Sequence, residues 1–397
     1  MIYLFEDTCT SQLYPISQTN LCGDIRIGKY SLYEYITNVF GEEVFLLSKR
    51  KILVDWYSKK KPKIKIINDI VDDNEHIFIN ARILPSKEDI NYIFKNIKKT
   101  NSISNSNMLL AFKGKYKGFL QILKENSDVQ KNTCRCVDFA FEIPDYSKEL
   151  LEEHVKIDLK KYKEYKKNVF VGKKVVICDS VIFNTDKGNI VIEDRVKIHS
   201  FAVIKGPAWI GKDTVINENC ILRDGCSIGN VCKIGGEIEA SIIFDYSNKQ
   251  HYGFLGHSVI CSWVNIGAGT SNSDLKNTYG SIKIDFQKQK IDTKKTFFGC
   301  VIGNYSKLAI NTSIYTGKTI GINTHVLGNV LENIGDFILY QKGIGKENQN
   351  YYLDSAFVTQ KRMFERRGLI QTQEDKALLK FLYDTKNSLI NLKSTLV

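Results

Sequence analysis

An aliphatic side chain recurs at every sixth residue through one stretch of this chain: Ile192, Ile198, Ile204, Ile210, Ile216, Leu222, Ile228 and Ile234. A helix of about 3.6 residues per turn cannot hold that period. A plain strand alternates with period two and would not pick out every third alternate position. The pattern is that of a hexapeptide-repeat solenoid, a parallel β-helix whose turns stack into one core. Three hexads make one triangular coil, and neighbouring coils lie about 4.8 Å apart, as strands do.

A second column runs four residues behind the first: Val196, Ala202, Ala208, Thr214, Cys220, Cys226, Cys232 and Ile238. A coil corner has little interior room, so mostly small side chains suit it. The cysteines of this column resemble a metal-ligand series, but buried free cysteine behaves as a small hydrophobe. They are read as packing, and no metal ligand is assigned. The repeat is expected to resume at Phe254, Ile260 and Ile266 and again at Ile302, Leu308, Ile314, Ile320 and Val326. An insertion separates these stretches, between Ser271 and Gly299.

Around the solenoid, periodicity places an α/β domain over 1–145, a linker helix over 146–169, the coils over 170–335 and a helical tail over 336–397. The N-terminal domain is expected to hold a helix over Tyr30–Phe40, strands over Glu43–Leu47, Ile64–Ile67, Ile77–Ile79 and Met108–Phe112, and a helix over Lys87–Ile97 capped by Ser86. Helices are expected over Leu353–Arg367, closed by Gly368, and over Glu374–Asn391. The ten cysteines include no Cys-x-x-Cys pair, which points to a reducing cytoplasm. No apolar run suits a membrane span, and no leader pattern is seen at the N-terminus. The net charge of +12 comes without the aromatic interleaving or motif of a nucleic-acid reader. It is read first as solvated surface lysines in a Lys-, Ile- and Asn-biased chain, and it would also suit anionic substrates such as sugar phosphates and coenzyme A.

Two segments go beyond the generic repeat: Tyr246-Ser-Asn-Lys-Gln-His-Tyr-Gly-Phe-Leu-Gly-His257 and Asn265-Ile-Gly-Ala-Gly-Thr270. Together they resemble the acetyltransferase half of the bifunctional GlmU family, in its variant with a shortened N-terminal domain. Gly235-Gly-Glu237, Asp274–Asn277 and Arg366-Arg-Gly368 belong to the same likeness. The resemblance implies a nucleotidyltransferase-like α/β domain, a left-handed parallel β-helix and C-terminal helices. It also implies a homotrimer with sites shared between subunits. It further implies acetyl transfer from acetyl-CoA to the amine of a hexosamine 1-phosphate. The base would be His251, since imidazole is suited to take the proton of the attacking amine. Arg223, in Leu222-Arg-Asp-Gly225, would hold the phosphate, with Lys249 and Asp274 as further acceptor contacts and Asn304 near the thioester. His257 is read as an ordinary corner residue. Glu239 stands where the family has a lysine.

At the N-terminus the family carries a glycine-rich loop that cradles a triphosphate. Here Phe5–Asn20 lacks those glycines, and Cys22 occupies the place of the family's lysine. The short variant's Asp7 and Asp24-Ile-Arg-x-Gly28 remain, while Asn80 replaces a metal-binding aspartate. Asp7, Arg26 and Arg82 are the candidates for coupling the sugar phosphate to UTP, with Mg²⁺ if that domain is active. The leading reading is synthesis of an amino-sugar nucleotide such as UDP-N-acetylglucosamine. Two other readings stand beside it: a nucleotidyltransferase whose solenoid only trimerises it, and a non-catalytic scaffold that binds sugar nucleotides.

Overall fold

The computed structural model describes residues 1–105, 108–124, 134–287 and 289–386. The chain divides into two compact units. One gathers 1–26, 30–139 and the C-terminal residues from 361; the other comprises 27–29 and 140–360.

The first unit is built on a six-stranded sheet. Its strands are β1 (Ile2–Phe5), β2 (Val44–Leu47), β3 (Ile66–Ile67), β4 (His76–Asn80), β5 (Ser102–Asn105) and β6 (Met108–Gly114), in the order β3-β2-β1-β4-β6-β5. β1 pairs parallel with both β2 and β4, whereas β6 runs antiparallel to β4. β1 reads as continuously apolar because all four of its residues are buried, as a central parallel strand requires. The helix Lys87–Asn96 begins at Ser86, whose hydroxyl accepts from Asp89 N, as expected. The expected helix from Tyr30 instead begins at Leu32 behind a Ser31–Glu34 capping box and becomes a π-turn at Ile36–Phe40. Helix Lys51–Lys60 was missed by the periodicity, because its surface lysines hide a short apolar face. The C-terminal helix Gln373–Asp384 joins this unit through Asp375, which accepts from Trp56 Nε1 at 3.0 Å and pairs with Lys60 Nζ at 2.5 Å. The last residues expected in that helix lie outside the described ones.

The second unit is the solenoid. Ile190, Ala208 and Cys226 pair in parallel register along one face, as do Ile192, Ile210 and Ile228, so one coil is three hexads there. All eight aliphatic residues of the founding column are fully buried, and the small-residue column behind them is buried too. All ten cysteines are free thiols, five of them buried in the solenoid. Burial pushes the Cys220 and Cys226 thiols up to about 12, which leaves them protonated packing groups. At one corner, successive coils place Arg195, Asp213, Val231, Tyr246, Trp263, Tyr305 and Asn323 in the left-handed backbone region. Tyr246 and Trp263 stack there with ring centroids 4.3 Å apart.

Coil length then changes. Ile234 pairs with Lys249, Asn248 with Asn265, and Ile238 with Leu255. Leu255, not Phe254, therefore continues the inner column, because these coils are one to three residues short of three hexads. The insertion forms an antiparallel hairpin, Lys283–Phe286 with Gln289–Asp292. The linker is α-helical over Ile143–His154; Asp158 turns left-handed before a 3-10 turn at Leu159–Lys161, and Lys163–Lys166 forms an antiparallel strand against Val169–Val171. Helix Leu353–Glu365 closes at Gly368, whose φ is +66° and whose amide donates to Glu365 O, as the sequence suggested. No helix among the described residues is long and apolar enough to cross a membrane.

His325 is expected to give the solenoid an acid sensitivity. Its ring stacks on Tyr351 at 3.9 Å, and its buried Nε2 has no hydrogen-bond partner. Burial, then the nearby Lys307, pushes it down to about 4. The folded value lies below the unfolded one, so its contribution is whole above about pH 6.5 and is lost as pH falls toward 4. His325→Phe is expected to reduce acid destabilisation across that window by on the order of 2 kcal/mol. Urea unfolding at pH 7 and pH 4.5 checks this; equal pH dependence in both proteins would refute it.

Candidate active site

The two segments singled out in the sequence lie on consecutive coils. Asn248 and Asn265 are register partners, and Asn248 Nδ2 donates to Asn265 Oδ1 at 3.3 Å. Between strands Asn248–Lys249 and Phe254–Gly256 the chain turns a corner, and His251 sits in that turn with its side chain exposed. Its ring makes no hydrogen bond to a described residue. The backbone beneath it is tied at each carbonyl. Gln250 O accepts from Asn217 Nδ2 at 2.9 Å, Tyr252 O from Gly269 N at 3.1 Å and Gly253 O from Glu237 N at 3.2 Å. His251 O accepts from Lys249 Nζ at 2.5 Å. The Gly235-Gly236 pair makes the approach possible: a Cβ on Gly235 would stand 2.3 Å from Gln250 O, and Gly236 has φ +73°.

Lys249 is therefore not a phosphate contact. It occupies the inner aliphatic column opposite Ile234 and is 1% exposed, so its ammonium cannot reach a ligand outside the coil. Desolvation pushes it down to about 8.

A second polar group runs alongside strand Phe254–Gly256, where Glu237 is the register partner of Phe254 and Glu239 that of Gly256. Arg223 Nε donates to Glu237 Oε1 at 2.5 Å, with Glu239 Oε2 3.6 Å away. The hydrogen bond to Glu237 holds the guanidinium above its usual range. The expected phosphate ligand is thus already paired, though still substantially exposed. Asp274 lies against His257, with Oδ2 2.8 Å from Nδ1, and the His257 ring stacks on Phe297 with centroids 5.2 Å apart. Reading His257 as an ordinary corner residue missed this pair. The signal was the spacing: Asp274 follows His257 by the same step as Asn265 follows Asn248. Asn304 is 7% exposed and its Oδ1 accepts from Ser262 N at 2.9 Å, so that oxygen serves the corner turn rather than a thioester.

In the first unit, the ends of β1, β2 and β4 carry the charged groups, where open α/β sheets bind ligands. They neutralise one another. Arg82 clamps Asp7 through Nε–Oδ1 at 2.9 Å and Nη2–Oδ2 at 2.6 Å, and Asn80 Nδ2 donates to the same carboxylate at 2.8 Å. Burial alone would lower the Arg82 guanidinium, but Asp7 outweighs it and holds it above its usual value. Glu6 and Arg50 form a second buried pair, joined by Ser48 Oγ and Cys22 N, both donating to Glu6. Arg26 lies half-buried in the short strand Arg26–Ile27. A Mg²⁺ ion wants free anionic oxygen, whereas both Asp7 oxygens are engaged by Arg82 and residue 80 is a neutral amide. No group of three His, Cys, Asp or Glu among the described residues is placed to hold a metal. These residues, as arranged, do not fit the ion.

The fold and these segments define a class: a nucleotidyltransferase-like α/β domain followed by a hexapeptide-repeat solenoid. Residues 2–157 match the family model for sugar nucleotidyl transferases, and residues 189–224 match the model for six bacterial transferase hexapeptide repeats. The chain resembles the bifunctional sugar-1-phosphate nucleotidylyltransferase/acetyltransferase of Sulfurisphaera tokodaii, at 32% identity over 39% of this chain and 42% of that protein. It also resembles the bifunctional protein GlmU of Methanococcus vannielii, at 29% identity over 44% of this chain and 40% of that one. Each likeness thus spans less than half of the relative's length. Among solved structures, a putative acetyltransferase of Bacillus cereus matches at 12% identity over 54% of this chain and 96% of its own, with a TM-score of 0.20.

Proposed function

We propose that the solenoid unit transfers the acetyl group of acetyl-CoA to the amine of a hexosamine 1-phosphate, with glucosamine 1-phosphate as the acceptor the resemblance implies. The observation that carries this reading is the stacking of the His251 turn on the Asn265–Thr270 segment, with the turn's carbonyls tied from 250 to 253. A rigid turn that presents an exposed imidazole suits proton transfer, which needs geometry before basicity. The amine attacks the thioester carbonyl, His251 takes the amine's proton, the carbon–sulfur bond breaks, and the departing thiolate takes a proton back to leave as the coenzyme thiol. Arg223, with its Nε on Glu237, would meet the phosphate through its outer nitrogens. In a homotrimer, the arrangement the resemblance implies, the exposed His251 turn would face a neighbouring subunit.

A second reading, uridylyl transfer at the N-terminal unit, is favoured by the match of residues 2–157 to the nucleotidyl transferase model. It requires Asp7 to leave Arg82. One purified preparation tests both. Acetyl-CoA with glucosamine 1-phosphate should release free thiol. UTP, Mg²⁺ and N-acetylglucosamine 1-phosphate should release pyrophosphate only if the second reading holds. Pyrophosphate without thiol would overturn the first.

A further inference from the structure

Lys249 stands where every coil before it places an aliphatic residue. Ile198 pairs with Ile216, Ile216 with Ile234 and Ile234 with Lys249 along one face of the coil. The next inner residues of that face are Ile266 and Leu308, also buried. An ammonium inside such a column is costly unless its donors are used. Here they point at backbone carbonyls, to His251 O at 2.5 Å and more loosely to Gly235 O at 3.4 Å. Of the turn's other carbonyls, those of Tyr252 and Gly253 are held by backbone amides and that of Gln250 by the Asn217 side chain, which lies outside the aliphatic column. The His251 carbonyl is held by a side chain that replaces a core aliphatic.

We propose that Lys249 is a positioning residue for His251: from inside the coil its ammonium fixes the carbonyl of His251 and so sets the direction in which the imidazole leaves the corner. This role rests on the acetyl-transfer reading above for its catalytic consequence, but not for its structural one. Burial also lowers the basicity of the ammonium, to about 8.

The test is Lys249→Ile, which restores the column's own residue type, with Lys249→Met and Lys249→Arg beside it. The isoleucine and methionine variants should melt no lower than the parent. Their kcat for acetyl transfer to glucosamine 1-phosphate should fall about 10- to 100-fold, since small misplacements of a reacting group cost that much. KM for acetyl-CoA should stay within about threefold, because the tether touches no substrate. Lys249→Arg, which keeps a donor, should recover part of kcat. Hydrogen exchange of peptides covering 248–256 should quicken in Lys249→Ile and Lys249→Met. Unchanged kcat with unchanged exchange in those two variants would overturn the proposal. If the parent enzyme releases no thiol with any amino sugar, the acetyl-transfer reading fails, and the exchange comparison alone decides whether Lys249 holds the turn.

Discussion

Replacing His251 by alanine is expected to lower kcat for acetyl transfer by about 10²- to 10⁴-fold, the usual worth of a general base. The side chain is exposed and its ring bonds to no described residue, so folding stability should shift by less than about 0.5 kcal/mol. The assay is thiol release from acetyl-CoA with glucosamine 1-phosphate, alongside a melting curve. A fall in kcat with an unchanged melting temperature separates chemistry from folding. Unchanged kcat would take His251 out of the mechanism and shift attention to His257, which already has a carboxylate on its Nδ1.

The largest effect on stability is expected from Arg50→Met. Arg50 and Glu6 are almost fully buried, and the guanidinium also donates to Ser17 O and Asn20 O. Removing the cation leaves a buried carboxylate without its charge partner and frees two loop carbonyls. Breaking such a pair costs about 3–5 kcal/mol. Urea titration followed by hydrogen exchange in peptides of the N-terminal unit measures it, since that unit need not unfold with the solenoid. Adding Glu6→Gln should recover part of the loss, because no charge then remains buried. A loss below about 1 kcal/mol in Arg50→Met would show that the pair is dispensable.

The solenoid was legible in the sequence because its core is a one-dimensional repeat. A six-residue period in aliphatic residues places Ile192 to Ile234 inside without knowledge of any distant contact. The corner cysteines were legible for the same reason. The period stops being a guide where coils shorten after Ile234: Phe254 slides off the inner column and Lys249 slides onto it. The candidate site falls in that stretch, so its motifs could be found by resemblance while the direction of individual side chains could not. The N-terminal unit shows the complementary failure. Asp7 and Arg82 were sensible candidates for nucleotide chemistry, yet β1 and β4 lie side by side and bring them, with Asn80, onto one another. The linker is a milder case, since charge spacing suited a helix to residue 167 but the α-helix stops at His154, ahead of the left-handed Asp158.

The sequence by itself determined the parallel β-helix, its small-residue corners and the helix stop at Gly368, because each rests on neighbours a few residues apart. Tertiary structure alone decided that Lys249 points inward, that Asp274 belongs to His257, and that Asp7 is spent on Arg82. Those outcomes depend on which coil or strand end lies alongside, and so on coil length and sheet order, which no local pattern encodes.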